Sequence, residues 1–162
     1  MLRRTGFKRK PTKPMKRTNG LKRGKTASKQ GVLRKNGKSP KSKLKKKLWA
    51  LFSKFIKERD GYICFTCGRK GEGSGMHSGH FIPRSIGGLA LYFHEENVHA
   101  QCYNCNINLG GNQYAYGQKL GAETVARLLS LKGTITKDFD YDFYIAEYGS
   151  KLAHLIEANN PK

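Results

Sequence analysis

The chain has 162 residues, which allows one domain of ordinary size and a tail. Its formal net charge is +21, and only 37% of its residues are hydrophobic. No stretch approaches the ~20 apolar residues of a membrane span, and the first residues lack the apolar run of a secretory signal. These features argue against a membrane or secreted protein and lead us to expect a reducing, cytoplasmic environment.

The positive charge is concentrated at the N-terminal end. Residues 1–47 hold 20 of the 32 Lys and Arg residues and no Asp or Glu, whereas residues 48–162 are nearly neutral. The basic segment is rich in Gly, Pro, Ser and Thr, so burial of apolar groups cannot offset its ordering entropy. We predict a disordered arm over residues 1–42 that binds nucleic acid. A solubilising tail or a localisation signal is the alternative.

An amphipathic helix is predicted over residues 43–59, at the start of a folded domain over residues 43–162. Its apolar stripe consists of Leu44, Leu48, Leu51, Phe52, Phe55 and Ile56, and lysines occupy most of the rest. Asp60 and Gly61 end the helix. We expect Trp49 and Phe52 to be core residues.

The four cysteines form two pairs with two-residue gaps, Cys64–Cys67 and Cys102–Cys105. In a reduced protein this pattern favours a tetrahedral zinc site over disulfides or a redox dithiol. A tight turn aims two thiolates at one ion, and Gly68 suits such a turn because it tolerates positive φ. Four thiolates leave no open coordination position, so we expect the zinc to be structural.

Short elements are predicted between and after the cysteine pairs. In chain order they are a strand at 62–64, a strand at 76–82, a turn at 83–88, an extended segment at 89–93, a turn at 94–97 and a strand at 98–102. A helix follows from Asn106, with Gly110 and Gly111 weakening its first turns. Further helices are predicted over residues 122–131 and 140–157, with Asp140 as a cap for the last.

Three stretches follow one another around the cysteine pairs: SGHF (78–81), ENVHAQCYNCN (96–106) and LGGN (109–112). Their order resembles that in the zinc-containing HNH, or ββα-metal, nucleases, and within them the lambdoid-phage NinG/Rap recombination endonucleases. The resemblance covers roughly residues 60–130. It implies an α+β fold in which a small ββα-metal core carries a four-cysteine structural zinc, with flanking helices and the basic N-terminal arm.

The resemblance also implies catalytic roles. His80 matches the general base, a role that suits an imidazole with an unperturbed pKa near 6.5. Asn106 matches the last metal ligand, and its carbonyl oxygen suits Mg²⁺ or Mn²⁺. A helix cap is the alternative role for Asn106. Asn97 matches the asparagine that orients the histidine loop.

One position departs from the family pattern. Many HNH proteins carry an acidic or histidine ligand directly before the base, where this chain has Gly79. His77 is the nearest candidate for the second ligand of the catalytic ion, with an exposed strand residue as the alternative. On a regular strand His77 and His80 point to opposite faces, so we expect a bulge at Gly79 to bring them together.

Other residues are candidates for contact with nucleic acid. Arg84 lies in the predicted turn. His99 matches the family pattern, with catalysis on one side and a phosphate contact or an orienting hydrogen bond on the other as alternatives. Asn112 matches the family's last asparagine and is a candidate for a phosphate or metal-water contact, with a turn role as the alternative. Tyr114 and Tyr116 have stacking on a base or core packing as alternatives. The remaining candidates are Arg3, Arg4, Lys8, Arg9, Lys10, Lys45, Lys46 and Lys47.

These features predict a metal-dependent DNA endonuclease that acts on branched recombination intermediates such as Holliday junctions and D-loops. The alternatives are a non-catalytic zinc module that binds DNA and a general HNH nuclease for packaging or mobile-element DNA. Symmetric cutting of branched DNA suggests a homodimer, and a recombination protein is a candidate partner. We expect the cytoplasm of the host cell if a phage encodes the protein.

Deletion of residues 1–40 is expected to weaken DNA binding and to flatten its salt dependence, with the metal site still folded. Each phosphate contact that is lost lowers the slope of log K against log salt by roughly 0.9. Fluorescence anisotropy at several salt concentrations measures this slope. An unchanged slope would contradict the proposed role of the arm.

Overall fold

The computed structural model describes residues 39–134, 136 and 138–159. It is helix-rich and contains one small antiparallel sheet. The predicted helix at 43–59 is confirmed as α1 (Pro40–Arg59), which begins three residues earlier. Ser39 caps it by accepting a hydrogen bond from the Ser42 N–H, and Pro40 occupies the first turn, where a missing N–H costs nothing. Most of the predicted arm, residues 1–38, lies outside the described residues.

The sheet pairs β1 (Met76–His80) with β2 (Val98–Cys102), as predicted. Its register runs from Met76 opposite Cys102 to His80 opposite Val98, and Gly79 pairs normally with His99. The predicted bulge at Gly79 is therefore wrong. His77 and His80 stay on opposite faces, because side chains alternate along a regular strand. The predicted strand at 62–64 is reduced to a single bridge between Ile63 and Lys70.

The segment between the two strands differs most from the prediction. Residues predicted as a turn and an extended stretch form α2 (Arg84–Tyr92), which is kinked where Gly88 takes φ 70°. Leu91 is fully buried and packs with Ile82 and Leu128. Leu89 and Tyr92 pack instead against the apolar cluster that includes α1. The apolar run thus folds as a helix because its side chains contact two different clusters, and strand propensity contains no information on such tertiary contacts.

Helices complete the chain. A π-helical turn (Asn104–Asn108) follows β2, and α3 (Gln113–Leu120) begins only after two glycines with positive φ, Gly110 and Gly111. The predicted last two helices are confirmed as α4 (Ala122–Ser130) and α5 (Tyr141–Asn159). Asp140 caps α5, since its Oδ1 accepts from the N–H groups of Asp142 and Phe143, at 3.0 Å each.

The main core lies between α1 and α5. Phe52 is fully buried there, with its ring 4.9 Å from that of Tyr148 and 5.7 Å from that of Phe93, both edge-on. Val98 of β2 joins the same cluster, which fixes the sheet against α1. Phe52 is a core residue as predicted, whereas Trp49 is only half-buried. Among the described residues, none of the helices is long and apolar enough to cross a membrane.

Replacement of Phe52 by alanine is expected to lower the free energy of unfolding by about 3–5 kcal/mol, because it leaves a cavity among aromatic rings. Phe143 is 60% exposed, so Phe143→Ala is the matched control and is expected to cost less than about 0.5 kcal/mol. Chemical denaturation measures both. Equal losses would contradict this placement of the core.

Candidate metal centre and catalytic cleft

The four cysteines meet at one point. Their Sγ atoms all lie within 4.8 Å of one another, and none is in a disulfide. The Sγ atoms of Cys67 and Cys102 are 3.8 Å apart. A tetrahedron with zinc–sulfur bonds of about 2.3 Å has edges of about 3.8 Å, so the donor set fits a structural metal such as zinc. The predicted gathering of the two pairs is confirmed.

Two turns present the sulfurs. In the first, the Gly68 N–H donates to the Cys64 carbonyl at 2.8 Å, and Gly68 takes φ 75° as expected. In the second, Cys102 ends β2 and Cys105 lies in the π-helical turn. The Phe65 N–H donates to the Ala100 carbonyl at 2.7 Å and so ties the first turn to β2. The metal centre therefore joins the loop after α1 to the sheet.

Polar groups surround the sulfurs. The Thr66 hydroxyl lies 3.3 Å from Cys64 Sγ, and the Asn112 Nδ2 group points at Cys105 Sγ from 4.0 Å. Groups of this kind stabilise thiolates around a metal. Asn112 takes left-handed backbone angles at the start of α3, so it lies in a turn beside the cysteines.

A cleft of about 200 Å³ opens beside β1. It contains three residues predicted to act on DNA: His80, Arg84 and Asn106. The full lining is Ser78, His80, Pro83, Arg84, Asn106, Gly110, Gly111 and Gln113. An imidazole, a guanidinium and an amide from three separate elements thus face one space.

His80 is held on two sides. Its Nε2 lies 3.0 Å from the Tyr92 carbonyl, and the Trp49 ring stacks on it with centroids 5.3 Å apart. A carbonyl only accepts, so Nε2 carries the proton and Nδ1 keeps its lone pair. Burial lowers the pKa of His80 to about 4, assisted by the nearby Arg84 charge and opposed by the bond to Tyr92. His80 is therefore neutral at pH 7.

Asn97 fixes the backbone around this histidine. Its side chain is fully buried and accepts from the Ile82 N–H at 2.7 Å. Its Nδ2 donates to the carbonyls of Ile82 and Leu91, at 3.2 and 2.9 Å. These bonds hold the residues just after β1 against the end of α2, beside the Tyr92 carbonyl that orients His80.

Asn106 contacts His77 and not His80. Its Nδ2 lies 3.0 Å from His77 Nδ1. An amide nitrogen only donates, so it uses the lone pair of His77 Nδ1. His77 thus fixes the orientation of the Asn106 amide in this structure, and its role as a metal ligand stays a prediction. The Asn106 Oδ1 atom is turned towards Gly79.

Other predicted residues lie elsewhere. His99 lines a different cleft, stacks on Phe65 at 3.9 Å, and has Nδ1 2.9 Å from Arg59 Nη2. These contacts fix the orientation of the His99 ring, and its roles in catalysis or in a phosphate contact stay predictions. Tyr116 is buried core, whereas Tyr114 is 79% exposed.

The predicted DNA-contacting lysines of α1 differ in their surroundings. Lys45 lies over the Tyr92 ring, 4.2 Å from its centroid. Lys46 and Lys47 are exposed. Arg3, Arg4, Lys8, Arg9 and Lys10 lie outside the described residues.

Two residues beside His80 were missed by the sequence analysis. The sequence predicts Trp49 as a core residue and Tyr92 as part of an extended segment, yet both contact the His80 ring. Arg84 reaches the same pair: its guanidinium lies 5.4 Å from the Trp49 ring, and its Nη1 donates to the Tyr92 hydroxyl at 3.3 Å. One signal was available for Trp49, which falls outside the apolar stripe of the helix.

The family model described as Bacteriophage Lambda NinG protein matches residues 3–152. The chain belongs to the NinG family. The match includes the basic N-terminal segment, all four cysteines and every residue that lines the cleft. No curated protein and no solved structure matches the chain. Membership thus accounts for the resemblance at the level of the phage NinG family.

The purified NinG-family protein is expected to hold about one zinc ion per chain, measured by elemental analysis. Cys105→Ser is expected to lower both the zinc content and the thermal stability, because structural zinc contributes directly to folding. Ser130→Ala, a change at an exposed serine of α4, is the matched control and is expected to keep the zinc content and stability of the wild type. Full stability of the protein after zinc is removed by a chelator would contradict a structural role.

Proposed function

We propose that this NinG-family protein is a metal-dependent DNA endonuclease that acts on branched recombination intermediates. The cleft lined by His80, Arg84 and Asn106 carries the proposal. A proton acceptor, a cation and a hard oxygen ligand are the groups that phosphodiester hydrolysis requires. The order of these residues around the cysteine pairs is also that of an HNH nuclease, which supports a ββα-metal core here.

His80 is the proposed general base. The Tyr92 carbonyl fixes Nε2–H, which leaves the Nδ1 lone pair to take a proton from water. The water oxygen then bonds to phosphorus and the bond from phosphorus to the 3′ oxygen breaks, which leaves a 5′ phosphate. The stacked Trp49 ring restricts the imidazole to one plane, so the ring loses little orientational entropy when water binds.

Arg84 and Asn106 act on the phosphate. The Arg84 side chain is exposed at the mouth of the cleft, where a phosphate oxygen can accept from it. The Asn106 Oδ1 atom is a hard ligand that suits Mg²⁺ or Mn²⁺. Such an ion, when bound, polarises the phosphate and stabilises the charge on the leaving oxygen. Asn97 serves this site by holding the backbone of Ile82 and of Leu91, the residue before Tyr92.

DNA is the proposed partner because of charge. The chain carries +21 overall, and most of that charge precedes residue 48. Such a segment binds phosphates by counterion release and supplies affinity with little sequence preference. Preference for branched DNA is inferred from NinG family membership, which points to a phage recombination role.

A second candidate is a zinc module that binds DNA without cutting it. Gly79 supplies no side-chain ligand, and among the described residues the four cysteines are the sole group of three or more His, Cys, Asp or Glu side chains placed to hold a metal. A catalytic ion therefore has few protein ligands. Binding without cleavage in every divalent metal would favour this function.

His80→Ala is expected to reduce cleavage of synthetic Holliday junctions in Mg²⁺ or Mn²⁺ by roughly 10²–10⁴-fold, the usual contribution of a general base. Zinc content and junction binding are expected to stay at the wild-type level. His154→Ala, on the exposed face of α5, is the matched control and is expected to retain full activity.

The pH dependence of the same reaction tests the state of His80. Because the pKa of His80 is lowered to about 4, the base stays unprotonated as pH falls from neutral. The second-order rate constant for cleavage is therefore expected not to fall through protonation of His80 until the pH is below about 5. Equal cleavage by wild type and His80→Ala would contradict the mechanism, and a preference for linear duplex would select a general HNH nuclease.

A further inference from the structure

Exposed apolar side chains are concentrated in one stretch of the chain. Among the described residues, eight large hydrophobic side chains are exposed, and four of them lie between positions 103 and 114. These four, which we call the apolar rim, are Tyr103, Ile107, Leu109 and Tyr114. The others are separated along the chain, at Ile63, Ile86, Leu129 and Phe143. Single exposed apolar residues are normal on a protein surface, but a concentration of them indicates an interaction site.

The apolar rim borders the cleft that contains His80. Three of its members are chain neighbours of residues that line the cleft, in the pairs Asn106–Ile107, Leu109–Gly110 and Gln113–Tyr114. Tyr103 lies about one helical turn before Ile107, so the two side chains are neighbours on the surface of the π-helical turn. The Tyr103 ring also contacts the His77 ring edge-on, with centroids 5.7 Å apart.

The backbone that presents the rim is fixed by hydrogen bonds. The Leu109 N–H donates to the Asn104 carbonyl at 2.9 Å, and the Gly111 N–H donates to the Cys105 carbonyl at 3.0 Å. Gln101 Nε2 donates to the Gly111 carbonyl at 2.8 Å. Cys105 is also one of the four clustered cysteines, so the metal centre holds the same turn. The apolar side chains are therefore exposed on an ordered turn.

The surroundings of the rim favour nucleic acid as its partner. Residues 97–122 contain no Asp or Glu, although the chain has 11 of them, and they contain five Asn and three Gln. The exposed members of this amide set are Asn104, Asn108, Gln113 and Gln118. Amide groups donate to and accept from base edges, and they do not repel phosphate. Arg84 adds positive charge in the same cleft.

A groove between α3 and α4 begins at Tyr114. It has a volume of about 440 Å³ and is lined by Gln113, Tyr114, Gly117, Gln118, Gly121, Ala122 and Val125. Gln113 lines both this groove and the catalytic cleft. The Tyr114 hydroxyl accepts from Gln118 Nε2 at 2.8 Å, which orients the phenol ring at the wall of the groove. A single nucleobase fits this space, and an aromatic ring is the usual surface on which an unpaired base stacks.

We propose that the apolar rim unstacks bases at the branch point of DNA, with Ile107 and Leu109 entering the base stack and Tyr114 receiving a displaced base in the groove. The inference rests on the proposed nuclease function and names the feature that selects branched DNA. Leucine and isoleucine side chains are typical wedges between base steps. Unstacking costs least where a base already lacks a paired or stacked neighbour, as it does at a branch point. The cleft then lies beside the branch.

A synthetic Holliday junction that carries 2-aminopurine beside the branch point tests the proposal. The full-length, zinc-loaded protein is added without Mg²⁺ or Mn²⁺, so that binding is measured independently of cleavage. The fluorescence of 2-aminopurine rises when the base leaves the stack, and wild type is expected to raise it. A linear duplex with the same labelled strand is expected to show no rise, because its bases are stacked on both sides.

Ile107→Ser with Leu109→Ser removes the side chains that enter the stack. This double variant is expected to bind the junction roughly tenfold more weakly and to lose the fluorescence rise. Its affinity for linear duplex and its salt slope are expected to match wild type, since the phosphate contacts remain. Leu129→Ser with Phe143→Ser, at exposed apolar residues of α4 and α5, is the matched control and is expected to bind as wild type.

Two further variants keep the test valid if the double variant folds poorly, which its melting temperature and zinc content reveal. Ile107→Leu with Leu109→Met keeps the apolar bulk and is expected to retain junction binding and the fluorescence rise. Tyr114→Ala lies in α3, outside the π-helical turn, and is expected to weaken junction binding by about fivefold or more, the usual loss of one stacked base. Tyr114→Phe keeps the ring and is expected to bind as wild type.

The outcomes separate this inference from the nuclease proposal. No fluorescence rise with wild type, wild-type junction affinity in the folded serine variant or in Tyr114→Ala, or an equal loss on linear duplex would each overturn it. A change from dimer to monomer in the serine variant, measured by sedimentation velocity, would assign the rim to contacts between copies of the chain and overturn it as well. Junction cleavage by wild type in these cases leaves the nuclease proposal standing. Unstacking that depends on the rim in a protein that cuts no DNA supports this inference and rejects the nuclease.

Discussion

The convergence of four sulfur atoms joins the two segments of the chain that lie on either side of β1 and α2. Cys64 and Cys67 follow α1, whereas Cys102 ends β2 and Cys105 lies in the π-helical turn. Their Sγ atoms nevertheless lie within 4.8 Å of one another. A metal that binds all four closes the intervening loop, and that loop contains β1, α2 and half of the residues that line the cleft. The folded part of the chain is small, so such a link compensates for a modest core.

The neighbourhood of His80 shows how packing and chemistry are combined. The imidazole lies between Trp49 and Tyr92, and this burial lowers its pKa to about 4. A lower pKa weakens a base but guarantees that it is unprotonated at neutral pH. The same side chains that fill space around the ring also fix its plane and its tautomer. Asn97 fixes the backbone nearby in a similar way. Its amide is buried, and both its oxygen and its nitrogen form hydrogen bonds within the protein.

Charge and chemistry are divided between parts of the chain. Residues 48–162 are almost neutral overall, whereas the N-terminal segment carries nearly all the excess charge. For the proposed binding of DNA, this division means that affinity changes with salt while the geometry of the cleft stays constant. Within the folded part, Lys45 and Arg84 lie over the aromatic rings beside His80, so positive charge continues from α1 to the cleft.

The sequence by itself determined the cysteine cluster, both strands, α1, α4 and α5, because each depends on local spacing, periodicity or capping. It also indicated His80, Asn106 and Arg84, although only folding brings these residues to a common cleft. The helical state of residues 84–92, the regular pairing at Gly79, the contact of Trp49 with His80 and the burial of Gln101 were decided by tertiary structure. Each of these depends on which distant side chain occupies the neighbouring space, and no local pattern carries that information.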